Sequence, residues 1–402
     1  VGVLEAGDRI GGRTRTDTQV FNGQHAFDHG AAWLHAAHEN PITPFAVQMG
    51  FTTPLDDRPG LAFDGVGDPR ENMVEYEAAV EKVYEAWAGT GNRGIDVPVS
   101  TLTPDAGKWT GAAAGVFGPL TMGMDVEQVS SVDFAAQPRE IGDRFVKQGF
   151  GAVVASFAHG VPVRLNTPIA KVKHGPSGAE ITAWGGQKWR AKTVLTTAST
   201  DVLAAEKIKF DPPLPGWKKE AIDALPLATF NKIALQFDKN IFPEVEPGAH
   251  VRDIQSAHDA MEFVVSPGGD PVVVGLVGGQ YSRELVEKGE AASIELALSR
   301  LEKMFGPRVR EHFVKGATTD WDADPWALGA FSCAKPGYPD ARKTYEKPVG
   351  QTLYFAGEAG DEDWAGCVPG AYLSGKRAAA SILESLQEAK HLTGNGNQQG
   401  VA

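Results

Sequence analysis

Two glycines near the start of the chain separate side chains that suit a nucleotide. Glu5 ends an apolar run, and a carboxylate at the end of a strand can accept hydrogen bonds from both hydroxyls of a ribose. Arg13 carries a forked cation that matches pyrophosphate. Gly11 and Gly12, just before Arg13, allow the backbone to approach phosphates closely. The spacing predicts a dinucleotide site, although Arg13 could also be an ordinary surface cation.

A second motif lies near the other end of the chain. The apolar segment 353–356 predicts a strand that ends in Gly357-Glu358, and after a short loop a helix opens at a run of small residues and continues with Gly, Ser and Ala. Small residues let a flat ligand approach the amides at a helix N-terminus, where the partial positive charge favours electron-rich atoms. We therefore expect this strand, turn and helix to border a ligand.

A lysine interrupts the apolar strand that is predicted at 230–237. Burying an ammonium group is costly unless it has a polar partner, so Lys232 in this run indicates a specific role. The alternative is a lysine on an edge strand whose ammonium group reaches solvent.

These motifs resemble those of the FAD-dependent amine oxidases, which include monoamine oxidases, polyamine oxidases, L-amino-acid oxidases and histone demethylases. The resemblance covers nearly the whole chain and is strongest at both ends and around Lys232. It implies an α/β fold with an FAD/NAD(P)-binding Rossmann-like cofactor domain, an antiparallel-sheet substrate domain and a helical insertion. It also implies non-covalent FAD, because Ala330 stands where monoamine oxidases have the cysteine that bonds to the flavin.

The start of the chain departs from the usual order of a dinucleotide-binding fold. Such folds place a first strand, a Gly-x-Gly-x-x-Gly turn and a helix ahead of the strand that carries the ribose acid. Because no such unit precedes Glu5, we expect the cofactor domain to lack its first βα unit and the chain to be N-terminally truncated. The alternative is that Val1 is the natural start and that Glu5 is an ordinary strand-end carboxylate.

The resemblance assigns site residues by position. It implies cofactor-binding roles for Glu5, Arg13, Ala32, Trp33, Val172, Glu358, Cys367 and Val368. It implies catalytic roles for Lys232, Trp321, Phe331 and Trp364.

The aromatic part of the site departs from the family pattern. The resemblance places Trp321 beside the isoalloxazine and Phe331 at one of two ring positions that favour an amine. Cys367 stands at the second ring position, so Trp364 would have to complete the pair. Phe331 and Trp364 could equally be core aromatics.

The predicted elements divide the chain into discontinuous parts. The FAD-binding domain is expected at 1–60, 146–205 and 321–390. The helical insertion is expected at 61–145, the substrate-binding domain at 206–320 and a disordered tail at 391–402. A hairpin is predicted around Gly185-Gly186, where two alternating apolar and polar runs meet.

Composition limits the possible partners. The net charge of −13 argues against nucleic acid, which requires a basic surface. We find no apolar stretch long enough to span a membrane and no spacing typical of a metal site, although His25, His29, His35 and His38 form a run. We expect Asp56, Asp57 and Asp361 to be solvated surface charges. The sequence does not predict an oligomeric state or a cellular location.

The expected reaction is oxidation of an amine C–N bond to an imine, with reoxidation by O2 giving H2O2. One alternative is an L-amino-acid oxidase or another FAD-dependent dehydrogenase or desaturase on the same scaffold. An arginine placed for a substrate carboxylate would favour the amino-acid enzyme. The other alternative is a non-catalytic fragment that does not bind flavin.

Overall fold

Short apolar runs separated by glycine-containing turns form the strands of this α/β protein. The computed structural model describes residues 1–395 except 24, 58, 66, 139–141 and 254–255, with side chains as far as residue 388. The strands in chain order are β1 (Val3–Leu4), β2 (Thr16–Asp17), β3 (Phe27–Asp28), β4 (Trp33–Leu34), β5 (Leu55–Asp56), β6 (Gly60–Ala62), β7 (Asp143–Phe145), β8 (Val163–Arg164), β9 (Ile169–Gly175), β10 (Gly178–Ala183), β11 (Lys188–Ala191), β12 (Val194–Thr196), β13 (Lys209–Asp211), β14 (Phe230–Phe237), β15 (Ala249–Arg252), β16 (Met261–Val265), β17 (Val272–Gly278), β18 (Phe313–Thr318) and β19 (Leu353–Phe355).

Helices pack against several of these strands. In chain order they are α1 (Thr43–Gln48), α2 (Asn72–Gly91), α3 (Thr110–Gly115), α4 (Ser131–Ala136), α5 (Phe150–Phe157), α6 (Thr200–Ala204), α7 (Gly216–Asp223), α8 (Gly279–Lys288), α9 (Glu290–Phe305), α10 (Arg308–Glu311), α11 (Ala341–Glu346) and α12 (Val368–Asn395). A π-helical segment, Val116–Met122, follows α3.

The largest sheet carries Lys232. Its strand order is β18-β14-β17-β16-β15-β6, and every pairing is antiparallel except that of β15 with β6. β14 lies between β18 and β17, and its residues are buried from Asn231 onward. The alternative of an edge-strand lysine is therefore wrong. Because the backbone of an interior strand is hydrogen-bonded on both sides, the sheet fixes the place of Lys232 in the fold.

The strands at the Glu5 end form smaller parallel pairs. β1 pairs with β8, and β12 pairs with β19, both in parallel. β9 lies between β10 and the parallel strand β13, and β10 forms the predicted hairpin with β11. The mixture of parallel strands, an antiparallel sheet and packed helices confirms the predicted α/β fold.

The helical insertion follows the periodicity of an amphipathic helix. In α2, Tyr76, Ala79, Val83 and Trp87 are buried at the spacing of one helical face. They pack in one apolar cluster with side chains of α3 and α4. The insertion thus forms a wall beside the large sheet.

The domain boundaries stay a prediction. β6 begins at Gly60 and pairs with β15. The large sheet therefore includes the first residues of the segment that was assigned to the insertion. α12 continues to Asn395, so its backbone includes the first residues of the segment for which the sequence predicts disorder. Residues 396–402 lie outside the described residues.

Candidate active site

A cavity of about 1760 Å³ lies between the Glu5 end and the large sheet. This volume exceeds the roughly 300–1,000 Å³ of pockets that hold one drug-sized ligand. Eleven of the predicted site residues line it: Glu5, Arg13, Ala32, Trp33, Val172, Lys232, Trp321, Phe331, Glu358, Cys367 and Val368. Trp364 does not; it is 9% exposed, and its backbone N–H donates to Asp361 Oδ1 at 2.8 Å.

Glu5 directly follows β1 and lines one end of the cavity. The Gly7 N–H donates to its Oε1 at 2.7 Å, and the Glu5 N–H donates to the Arg164 carbonyl of β8 at 2.8 Å. The carboxylate is half-buried at the cavity wall. This geometry suits the acceptance of hydroxyl hydrogen bonds from a ligand that lies along the strand ends.

Arg13 and Glu358 join the two ends of the chain. Arg13 Nη1 donates to Glu358 Oε1 at 2.8 Å and to the Ala330 carbonyl at 2.9 Å. Glu358 also accepts from the Ser332 hydroxyl at 2.6 Å and from the Gly366 N–H at 2.9 Å. Burial alone would raise the pKa of Glu358, but Arg13, Arg342 and the Ser332 bond outweigh it and lower that pKa.

Lys232 is 4% exposed and is held by backbone oxygens. Its Nζ donates to the carbonyls of Asp28 and Gly30, each at 2.7 Å, and lies 5.6 Å from the centroid of the Trp33 ring. Burial lowers the pKa of Lys232 from 10.5 to about 8, and the Asp28 carboxylate partly opposes this shift. The ammonium group is thus fixed at the cavity wall and titrates near neutral pH.

Close backbone packing brings these carbonyls to Lys232. A Cβ on Gly30 would lie 1.8 Å from the Arg13 carbonyl oxygen, so only glycine permits the contact. The Trp321 indole N–H donates to the His29 carbonyl at 3.0 Å in the same layer. Burial first, and then Arg15, lowers the pKa of His29 to about 4, so this imidazole is neutral.

Two phenylalanines line the cavity as a pair. The rings of Phe230 and Phe331 lie 5.9 Å apart at an angle of 48°. The sequence prediction identified Phe331 but not Phe230. Residues i and i+2 of a strand share a face, so the position of Phe230 two residues before Lys232 could have revealed it.

The sequence prediction missed a cluster of polar side chains next to the indole N–H of Trp33. Trp33 Nε1 donates to Asp56 Oδ2 at 2.6 Å, and His250 Nε2 lies 3.5 Å from the same oxygen. His250 Nδ1 hydrogen-bonds to Glu262 Oε1, and Arg252 Nε lies 2.6 Å from Glu262 Oε2. The cavity is lined by His250, Arg252 and Glu262.

His35 and Asp143 form a second contact between a ring nitrogen and a buried carboxylate, next to that of Trp33 and Asp56. His35 stacks on Trp33 with ring centroids 6.1 Å apart, and its Nδ1 lies 2.7 Å from Oδ2 of the fully buried Asp143. Asp56 and Asp143 are cross-strand partners in β5 and β7, so their side chains share one face of that sheet.

The prediction of solvated carboxylates is wrong for two residues. Asp56 is 5% exposed because it receives the Trp33 hydrogen bond from β4 across the small sheet. Asp361 is 4% exposed and is paired with Arg377 at 2.8 Å. Neither partner is near in sequence, so a local pattern could not reveal the burial. Asp57 is exposed, as expected.

Open backbone at the cavity suits a bulky anionic ligand. Gly12 and Gly357 line the cavity with φ of 54° and 134°, and an added Cβ would meet nothing within 4 Å at either residue. A ligand can therefore approach both backbones closely. α12 begins at Val368, which also lines the cavity, so the positive N-terminal end of a long helix borders this region. The residues present fit a dinucleotide cofactor.

The comparisons with known proteins decide the family. The family model described as flavin containing amine oxidoreductase matches residues 1–90 and 103–383. The chain belongs to this family. Its cofactor is FAD, bound non-covalently, and it is an FAD-dependent amine oxidoreductase with a small-molecule amine substrate and O2 as reactants.

Similar sequences include polyamine oxidases and histone demethylases. Polyamine oxidase 4 of Oryza sativa subsp. japonica is 28% identical over 412 residues, which cover 94% of this chain and 82% of the relative. The probable polyamine oxidase 4 of Arabidopsis thaliana is 29% identical over 96% of this chain and 83% of the relative. Lysine-specific histone demethylase 2 of Homo sapiens is 27% identical over 95% of this chain and 50% of the relative.

Solved structures share the fold of this flavoprotein. Putrescine oxidase bound to putrescine matches with a TM-score of 0.76 and 21% identity, covering 95% of this chain and 93% of the other. Cyclohexylamine oxidase from Brevibacterium oxydans matches with a TM-score of 0.75 and 22% identity, covering 96% and 93%. At these identities the likeness establishes the fold alone.

The part of the amine oxidoreductase that the structure describes contains neither a membrane-spanning helix nor a cluster of metal ligands. Its helices there lack the combined length and apolar character needed to cross a membrane. Its described residues also contain no group of three or more His, Cys, Asp or Glu side chains placed to hold a metal ion.

Proposed function

We propose that the chain oxidises the C–N bond of a small amine to an imine and uses O2 as the electron acceptor, with H2O2 as the other product. FAD, when bound, supplies the acceptor for the hydride equivalent that leaves the carbon next to nitrogen. Water then converts the released imine to an aldehyde or ketone and an amine or ammonia. The observation that carries the proposal is the buried Lys232 ammonium, which lies at the wall of a cavity with Trp33, Trp321 and the phenylalanine pair.

Lys232 supplies a fixed positive charge. Its two carbonyl partners hold Nζ in place, and a pKa of about 8 leaves most of the amine protonated at neutral pH. A preorganised cation stabilises negative charge that develops when electrons pass to oxygen. We assign Lys232 to this oxygen-reacting step.

The phenylalanine pair favours the neutral form of the substrate amine. An apolar wall formed by Phe230 and Phe331 disfavours the charged form of an amine, so it lowers the pKa of the bound substrate and favours the neutral form that can be oxidised. Held between this wall and the cofactor side, the reacting carbon is positioned and shielded from water.

The surroundings of Arg252 argue against an amino-acid substrate. Its guanidinium is already engaged by Glu262, and Asp56 lies in the same hydrogen-bonded group. A substrate carboxylate placed there would compete with Glu262 for the cation and would face a second buried carboxylate. An amine without a carboxylate fits this group better.

A substrate panel tests the proposal. With FAD supplied, the chain should consume O2 and release H2O2 in equal amounts with amines of the kinds named in its relatives: putrescine, a longer polyamine or cyclohexylamine. L-amino acids should give much lower rates. A yellow, FAD-loaded protein that forms no imine or carbonyl product from any amine would rule the proposal out. Faster turnover of an amino acid would favour the amino-acid enzyme.

A further inference from the structure

Asp56 is a buried carboxylate that links two parts of the molecule. It lies on β5 and is 5% exposed, and a buried carboxylate is costly unless it is hydrogen-bonded. Its Oδ2 accepts the Trp33 indole N–H at 2.6 Å and lies 3.5 Å from His250 Nε2. The carboxylate is therefore fixed between an indole on the cofactor side and an imidazole of the large sheet.

The large sheet holds this imidazole through two further side chains. His250 Nδ1 hydrogen-bonds to Glu262 Oε1, and Glu262 Oε2 lies 2.6 Å from Arg252 Nε. Arg252 and Glu262 are direct cross-strand partners in β15 and β16. A chain of charged and polar groups thus runs from interior strands of the sheet to Asp56, where neighbouring strands fix the backbone.

Trp33 connects this hydrogen-bonded group to Lys232. An indole has one N–H donor, so its bond to Asp56 selects one orientation of the ring. The ring centroid lies 5.6 Å from Lys232 Nζ, within cation–π distance. Asp56 itself is not among the residues that line the cavity, whereas Trp33 and Lys232 both are.

We propose that Asp56 is a positioning residue of the active site, which holds the Trp33 ring beside Lys232 and anchors it to the large sheet through His250, Glu262 and Arg252. The assignment rests on the proposed amine oxidation, because it gives Asp56 a part in that reaction. Loss of the carboxylate frees the indole to rotate and moves one wall of the site.

Steady-state kinetics on the FAD-loaded full chain give the first test. Asp56→Ala should lower kcat about 100-fold with a smaller change in KM, since displacement of a site wall by about 1 Å has effects of this size. Asp56→Asn keeps an oxygen that can accept the indole N–H and should lose only about tenfold. Asp57→Ala is the matched control, because this neighbouring residue is exposed, and its kcat should stay within about twofold of wild type.

A double-variant cycle and an NMR signal separate positioning from general stability. Trp33→Phe should reproduce most of the Asp56→Ala loss, and the double variant should be no slower than Trp33→Phe alone, because both act through one ring. The Trp33 indole N–H signal, assigned by its loss in Trp33→Phe, should shift and exchange faster in Asp56→Ala but not in Asp57→Ala. If Asp56→Ala does not fold, Asp56→Leu, which also lacks an acceptor for the indole N–H, carries both measurements.

The outcomes divide clearly. An unshifted Trp33 signal in the Asp56 variant that lacks an acceptor, or kcat losses that add in the double variant, overturns the assignment of Asp56. A wild-type chain that oxidises no amine overturns the proposed function instead, and the indole signal then still tests the link between Asp56 and Trp33.

Discussion

The large sheet and the strands at the Glu5 end differ in how completely they are paired. β14, β17, β16 and β15 each have a neighbour on both sides, and their side chains form a continuous apolar core. Among the described strands, β1 pairs only with β8, and β12 only with β19. Val3 and Leu195, on β1 and β12, remain 38% and 36% exposed and line the cavity.

This contrast indicates which interactions stabilise each of the two regions. β14 has a paired strand on both sides, so the backbone that carries Lys232 is held without a ligand. Parallel strands usually have other strands beside them and are covered on both faces of the sheet. Unpaired strand edges bind other segments readily. We therefore expect the Glu5 end to gain more from FAD and from added structure than the Lys232 end does.

The largest effect should come from adding a partner strand beside β1, which has one neighbour among the described strands. A fused strand, Gly-x-Gly-x-x-Gly turn and helix ahead of Val1 should raise FAD affinity about 100-fold or more, because such a turn supplies backbone amides and a helix terminus to the pyrophosphate. Titration of FAD fluorescence measures it. The matched control replaces the three glycines of the added turn with valine. Equal affinity with and without the added segment would show that the open edge of β1 does not limit FAD binding.

At the Lys232 end, removing the charge should affect oxygen chemistry. Lys232→Met should slow the reaction with O2 about 100-fold, and anaerobic reduction by substrate much less, since Met keeps the length without the cation. Stopped-flow absorbance separates the two half-reactions. Lys315→Met, on the neighbouring strand β18, is the control. An unchanged oxidative half-reaction would leave Lys232 with a structural role only.

The link between the two ends of the chain should contribute to stability. Glu358→Gln removes the charge of the buried Glu358 from its pair with the partly buried Arg13 and should lower the free energy of unfolding by about 2 kcal/mol. The folded-state pKa of Glu358 is lowered, so its stabilisation is present above the ordinary value of 4.5 and is lost as pH falls through the lowered pKa. Urea unfolding should therefore show a difference from wild type that shrinks in acid.

Glu362→Gln is the control for this measurement, because its ion pair with Lys343 is exposed on both sides. A difference from wild type that persists unchanged in acid would show that Glu358 acts by shape rather than by charge.

The smallest effect concerns pH. Because Lys232 has a pKa of about 8, its charge should be lost as pH rises, and the rate with O2 should fall about tenfold between about pH 7 and pH 9. The Lys232→Met variant should show no such fall. A wild-type rate that is constant over this range would mean that the cation does not assist the reaction.

Several local patterns were sufficient to predict elements and some of the site. An apolar run identified β14, and alternating runs around glycines identified the β10–β11 hairpin. The lysine within an apolar strand pointed to the cavity before any geometry was known, because few environments stabilise a buried ammonium. Motif spacing at both chain ends also pointed to the same ligand.

Contacts between distant segments could be decided only by the tertiary structure. Trp33 and Asp56 are joined across a small sheet whose middle strand, β7, comes much later in the chain, and no local pattern marks Asp56 as buried while Asp57 is exposed. The pairing of Phe331 with Phe230 rather than Trp364 likewise depends on how β14 packs. The sequence alone determined which residues carry suitable chemistry, since residue type and local period are read directly. The fold determined which of them meet, because side-chain burial and hydrogen bonds depend on the packing of segments far apart in the chain.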